Sequence, residues 1–157
     1  MNEEYTRLDR MRYTKNTTSS RLAILAIVFD VLFFVSLYKS DVGTYYYTIL
    51  IGASILYNLV FLLATFLASE GVKSYQPGYS WLLLVLGVIQ VCRIFIYPMQ
   101  AHQAVVSGQQ VMGDGQFVRM IIYLVLSALC LLASAVINWR KSKALTAHIA
   151  SLEAAKA

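Results

Sequence analysis

Two charged residues lie deep inside long apolar stretches of this sequence, away from the ends, and they are its strongest candidates for chemistry. Asp30 falls in one apolar run and Arg93 in another. A charge at the centre of a bilayer costs at least about 2.5–3.5 kcal/mol, so each such residue needs a compensating role. As a functional site, Asp30 would bind a proton or cation and Arg93 an anionic substrate. The structural alternative, which we favour, is a buried ion pair that fixes helix register. Contact with a partner membrane protein is the third reading.

Polar groups on the other apolar runs lie at a matching depth. At a rise of about 1.5 Å per residue, Asp30 lies roughly 13 Å from the start of its run. Asn58, Gln90 and Ser127 fall close to that level, and Arg93 lies one turn further on. We therefore predict a buried ion pair between Asp30 and Arg93, with hydrogen bonds completed by Gln90 and Asn58. The predicted intramembrane polar layer comprises Asp30, Asn58, Gln90, Arg93 and Ser127.

Four apolar runs must position this layer. Of the 157 residues, 59% are hydrophobic and 13% charged, whereas soluble domains average about 45–50% and 25%. This composition excludes an ordinary soluble enzyme, a disordered tail and a disulfide-stapled module. The runs cover residues 21–38, 44–69, 80–97 and 117–139, each long enough to cross a bilayer as a helix. They lack the short alternating pattern of barrel strands. We therefore predict an all-α integral membrane protein, with a four-transmembrane-helix bundle over residues 21–139.

Lys and Arg residues are distributed unevenly between the two sides of the predicted bundle. The side that holds both chain ends carries Arg7, Arg10, Arg12, Lys15, Arg21, Lys73, Arg140, Lys141, Lys143 and Lys156. The other side carries only Lys39 and Arg119. Since cytoplasmic loops are enriched in Lys and Arg, we predict that both termini are cytoplasmic. The net charge of +5 then reflects topology, and no nucleic-acid partner is expected. The first run lacks an A-x-A-like cleavage site, so we interpret it as a retained span.

The segments outside the runs are short. Residues 1–20 form a predicted amphipathic segment and residues 140–157 a predicted amphipathic helix, both cytoplasmic. Segments of this kind lie on anionic lipid or bind a partner's cytoplasmic domain, and we favour the lipid surface. The connection at 98–116 is the longest between the runs. It is interpreted as a short surface helix followed by a turn, with a lid or partner-binding loop as the alternative.

No constellation typical of catalysis or metal binding occurs in the sequence. His102 and His148 are predicted on opposite sides of the membrane, so they cannot share a metal. Cys92 and Cys130 both fall inside apolar runs and are interpreted as packing residues. We expect no catalytic residues, no metal and no cofactor. A membrane enzyme remains an alternative, and it would use His102, Asp114 and Arg119 near the outer surface.

One stretch resembles a known group of proteins. Residues 38–61 begin Tyr-Lys-Ser-Asp-Val-Gly-Thr-Tyr-Tyr-Tyr, and residues 97–102 read Tyr-Pro-Met-Gln-Ala-His. Together they resemble small uncharacterised four-span proteins of Gram-positive bacteria, over about the two middle spans. The resemblance implies a bacterial plasma (inner) membrane and proximity to importers, and it transfers no functional residue.

Small size, amphipathic ends and polar helix faces favour a non-catalytic function. We expect an accessory or scaffold subunit of a larger membrane complex, such as a transporter or importer, or self-association. The alternative is a small oligomeric channel or transporter that uses the layer around Asp30 and Arg93. An oligomer would be required, because one four-helix bundle filled by side chains is too narrow for a path.

Overall fold

The computed structural model describes residues 3–38, 50–103, 105–106, 109–110 and 112–155. The predicted start of the second span at residue 44, the outer Lys39 and the terminal Lys156 lie outside these residues. The elements, in chain order, are α1 (Glu3–Met11), α2 (Thr17–Tyr38), α3 (Leu50–Lys73), α4 (Gly78–Ile96), α5 (Pro98–Gln103), β1 (Val105–Val106), β2 (Gln109–Gln110) and α6 (Asp114–Ala154).

Four of these helices, α2, α3, α4 and α6, are long and apolar enough to cross a membrane. Helix α2 begins at Thr17, before the predicted run, and so includes the polar residues Thr17 to Ser20. Helix α3 continues past residue 69 to Lys73, since Ser69 and Val72 remain buried against the neighbouring helices. Hydropathy locates the apolar part of a helix, whereas packing and backbone hydrogen bonds decide where the helix ends.

The four long helices pack as a ring in chain order. Helix α2 contacts α3 and α6, and α4 contacts the same two helices, so α2 and α4 face each other across the bundle. The interior contains small side chains, among them Ala23, Ala26, Ala68, Ala128 and Ala135. Large apolar side chains point outward, among them Leu56, Leu63, Trp81, Phe95 and Leu129. Small side chains let helices approach closely where they occur, and an apolar exterior suits lipid.

Helix α6 does not stop at the end of its apolar part. Its 41 residues extend about 60 Å, roughly twice the thickness of a bilayer's hydrocarbon core. The predicted boundary after residue 139 therefore falls inside one continuous helix. Helix α1 packs on the added part, where the Asp9 carboxylate lies 3.8 Å from Nε2 of the buried His148. We call α1 together with residues 140–154 the projection.

The bundle end beside the projection is called the basic end, where α2 and α4 begin and α3 finishes. At the opposite end, α5 packs on α4 and α6, and β1 and β2 pair antiparallel in the register Val105↔Gln110. Ala101 and Met112 are fully buried there, and the His102 ring stacks on Phe117 with centroids 4.2 Å apart. The predicted short helix is present in this connection, and a two-stranded ribbon follows it.

The turn between α3 and α4 brings the two helices unusually close at Gly71. A Cβ atom at this position would lie 2.1 Å from Cδ2 of Tyr79. We expect Gly71→Ala to lower the free energy of unfolding by about 1–3 kcal/mol, because the Tyr79 ring must move. Gly52→Ala on the same helix is the control, since its Cβ would meet nothing within 4 Å. Melting temperatures in detergent measure the difference, and equal values for the two variants would contradict the packing described.

Candidate functional site

The five residues of the predicted polar layer meet at the centre of the bundle. Arg93 on α4 reaches across to α2, where Nη1 donates to Oδ1 of Asp30 at 2.6 Å. The same Nη1 donates to Oε1 of Gln90 at 2.8 Å. On the other side of the guanidinium, Nη2 donates to Oδ1 of Asn58 on α3 at 3.0 Å. The ion pair thus spans the diagonal of the helix ring.

Gln90 links the ion pair to the fourth helix. Its Nε2 donates to Oδ1 of Asp30 at 2.9 Å and to Oγ of Ser127 at 3.0 Å. The Ser127 hydroxyl in turn donates to the backbone carbonyl of Ala26 at 3.0 Å. Asn58 donates to the carbonyl of Ser54 one turn away, at 2.8 Å. All four long helices are therefore joined by one hydrogen-bonded network.

Aromatic rings enclose the guanidinium. The Arg93 Cζ atom lies 4.4 Å from the ring centroid of Tyr57 and 4.7 Å from that of Phe33. The side chains of Arg93 and Asp30 are only 3% and 1% exposed. Cation–π contacts strengthen when water is excluded, so both rings help to offset the desolvation of the charge. The two charges are neutralised inside the protein and do not face the surrounding lipid.

Two atoms of the ion pair have no hydrogen-bond partner among the described residues. These are Oδ2 of Asp30 and Nε of Arg93. A buried polar atom without a partner costs free energy, so such atoms commonly mark functional or strained positions. Of the two carboxylate oxygens of Asp30, Oδ1 therefore accepts hydrogen bonds from Arg93 and Gln90, whereas Oδ2 accepts none among the described residues.

A second polar cluster closes the basic end of the bundle. Asn138 on α6 donates from Nδ2 to Oγ of Ser80 at 2.8 Å and to the carbonyl of Gln76 at 3.0 Å. Its Oδ1 accepts from Nδ2 of Asn16 at 3.1 Å. Lys141 donates to Oδ1 of Asn16 at 3.1 Å, which bridges the start of α2 to α6. This cluster holds the beginnings of α2 and α4 against α6.

Sequence reasoning missed Asn16. Asn16 begins a sequence that fits a glycosylation sequon, Asn16-Thr17-Thr18. In the structure its side chain is only 1% exposed and is hydrogen-bonded to Asn138 and Lys141. Its Nδ2 also donates to Oγ of Ser19 at 2.9 Å. The available signal was an Asn a few residues ahead of the apolar run, because Asn is a preferred N-cap residue at the start of a helix.

The residues named for an enzyme do not form a comparable network. Nε2 of His102 lies 3.7 Å from Oδ1 of Asp114, whose side chain is 90% exposed. Nδ1 of His102 lies 3.3 Å from the Met112 carbonyl, and Arg119 is exposed. His148 lies in the projection, whereas His102 stacks on Phe117 near the beginning of α6. The two histidines are therefore far apart. Over the described part of the chain, no three His, Cys, Asp or Glu side chains come together as metal ligands.

These features define the class of protein. Four helices of spanning length, apolar outside and polar at the centre, indicate a multi-pass membrane protein. Comparisons with protein-family models, with curated proteins and with solved structures find no match to this chain.

Proposed function

We propose that this chain is a non-catalytic accessory or scaffold subunit of a larger membrane complex. The complex is expected in a bacterial plasma (inner) membrane, and a transport complex such as an importer is the class suggested by the resemblance of residues 38–61. Both termini are assigned to the cytoplasm. The exposed cations Arg21 and Arg140 lie near the basic end, which supports this orientation under the positive-inside rule.

The observation that carries the proposal is the projection. It extends beyond the bundle as two packed helices, so it can reach a partner's cytoplasmic domain. Helix α1 covers one side of it, where His148 is buried and Leu145 and Leu152 are half-buried. The other side exposes the small residues Ala147, Ala150 and Ala154, which share one helix face. A face of small side chains allows another helix to approach closely, and its side chains lose little entropy on contact.

The polar layer supports a structural role over a catalytic one. Asp30, Gln90 and Arg93 are bonded to one another and are buried from every side. A substrate could reach them only if the helices separated. Buried polar networks of this kind specify one packing arrangement, which a scaffold subunit requires.

The proposal is tested by enlarging one small residue of the projection. Ala147→Trp places a bulky ring on the exposed face, whereas Ile149→Trp, also at an exposed position, places the same ring about 160° round the helix. Tagged wild-type chain, extracted from the native host in mild detergent, should retain a larger membrane protein at a fixed ratio. We expect Ala147→Trp to reduce that retention at least fivefold and Ile149→Trp to leave it largely unchanged. Equal retention by both variants would contradict the assignment of this face.

An oligomeric channel or transporter is the second candidate function. It is favoured by the carboxylate atom Oδ2 of Asp30, which is buried near the middle of α2 without a hydrogen-bond partner in the described residues. Ion flux in liposomes that is abolished by Asp30→Asn, in a variant that still folds, would support this function. Flux that is absent from the wild type would exclude it.

A further inference from the structure

An aromatic and cationic cluster lies on the outer surface of the basic end, at the seam between α4 and α6. The rings of Trp81 and Trp139 contact each other, with centroids 5.4 Å apart and planes at 44°. The ammonium of Lys143 lies over the Trp139 ring, 4.7 Å from its centroid. Arg140, which follows Trp139 in the chain, is exposed. The contact with the Trp139 ring keeps the Lys143 ammonium close to the end of the apolar surface of the bundle.

An apolar stripe leads along each helix to this cluster. On α6, Leu129, Val136 and Lys143 follow one another at intervals of seven residues and therefore share one face. Both apolar members are about half exposed. On α4, Trp81, Val85 and Val88 recur at helical spacing and are likewise about half exposed. The surface thus changes from aliphatic to aromatic to cationic over a few turns.

The succession of aliphatic, aromatic and cationic side chains along this surface matches the parts of a phospholipid. Acyl chains pack on aliphatic side chains, indole rings prefer the headgroup level, and Lys or Arg attract anionic headgroups. A free phosphate would use the two cations but would gain nothing from the aliphatic stripes. A zwitterionic lipid would use the stripes, but its own ammonium would offset the attraction to Lys143 and Arg140.

We propose that the surface formed by Trp81, Trp139, Arg140 and Lys143 binds the headgroup of an anionic phospholipid, with its acyl chains along the α4 and α6 stripes. The inference rests on the orientation given under the proposed function, and it names the lipid partner at the basic end. Helix α1 packs on α6 within the projection and is not the element that carries this lipid contact.

The test uses the purified full-length chain in nanodiscs that contain equal amounts of phosphatidylglycerol and phosphatidylcholine. Native mass spectrometry after release counts the lipids that stay bound. We expect the wild type to retain more phosphatidylglycerol than phosphatidylcholine, and the ratio of the two bound lipids measures this preference. Because one cation near an anionic surface is worth about 1 kcal/mol, the preference should fall roughly fivefold for each cation removed in the Arg140→Gln, Lys143→Gln double variant.

The matched control removes the same amount of charge from α1, the other helix of the projection. Arg7→Gln with Arg10→Gln changes two exposed cations of α1 and should leave the preference unchanged. Three results would overturn the inference: no preference in the wild type, a full preference in the Arg140/Lys143 variant, or an equal loss in the Arg7/Arg10 control. The measurement involves no partner protein, so it can fail while the accessory function holds, and it can succeed where no partner is found.

Discussion

Replacing Arg93 with methionine is expected to lower the free energy of unfolding by about 3–5 kcal/mol, the cost of breaking one partner of a buried ion pair. Asp30 would lose its 2.6 Å contact with Nη1 of Arg93, and its carboxylate would remain at the bundle centre without a counter-charge. Asn58 and Gln90 would each lose a hydrogen bond to the guanidinium. Thermal unfolding in detergent, followed by circular dichroism, measures the loss.

A double-mutant cycle separates the ion pair from simple loss of packing. Asp30→Asn combined with Arg93→Met removes both charges, so the double variant should be more stable than Arg93→Met alone. Arg119→Gln removes a charge from an exposed position and should change the melting temperature little. A double variant whose destabilisation equals the sum of the two single effects would contradict coupling between Asp30 and Arg93.

Asn138→Ala should be the next most damaging substitution, with an expected loss of about 2–3 kcal/mol. Its side chain makes three hydrogen bonds, to Asn16, Ser80 and the Gln76 carbonyl. Their removal leaves buried polar atoms without partners, and each such atom costs about 1–3 kcal/mol. Loss of melting temperature measures the effect.

The position of Asn138 also predicts where the structure should loosen. Because Asn16 connects α1 to the start of α2, the variant should be cleaved faster by trypsin at Arg12 and Lys15, before the global unfolding temperature is reached. Gln100→Ala removes an exposed amide and serves as the control. Unchanged cleavage in Asn138→Ala would mean that the cluster does not fasten the amino-terminal segment.

The polar layer could be anticipated because it depends on two simple quantities. Hydropathy locates the apolar helices, and the rise per residue places Asp30, Gln90 and Ser127 at one depth. The same reasoning pairs Asp30 with Arg93, the other charged residue deep inside the apolar runs. It does not show that α2 and α4 lie on the diagonal of the ring, since helix order depends on side-chain packing among all four.

The projection could not be anticipated in the same way. Residues 140–154 are polar enough to look like a separate surface helix, and nothing in their periodicity shows that the helix of the fourth run continues through them. The pairing of α1 with this extension depends on contacts between residues far apart in sequence, such as Asp9 and His148. Asn16 escaped notice for a similar reason, because its partners Asn138 and Lys141 lie at the other end of the chain.

The layer and the projection have complementary roles in the proposed function. The network around Asp30 and Arg93 gives the four spans one fixed arrangement, and the cluster at Asn138 extends this order to the basic end. The projection begins at that cluster and is therefore held in a defined direction. In the proposed function, this direction lets the projection present a rigid helical surface to the partner.

The most direct test of this account is the mass of the particle that contains the chain, measured by mass photometry after mild-detergent extraction from its native membrane. We predict a mass that includes a larger membrane protein, identified by mass spectrometry and present at a constant ratio to this chain. A particle whose protein mass is a whole-number multiple of this chain alone would contradict the accessory function and favour a self-associating channel or transporter.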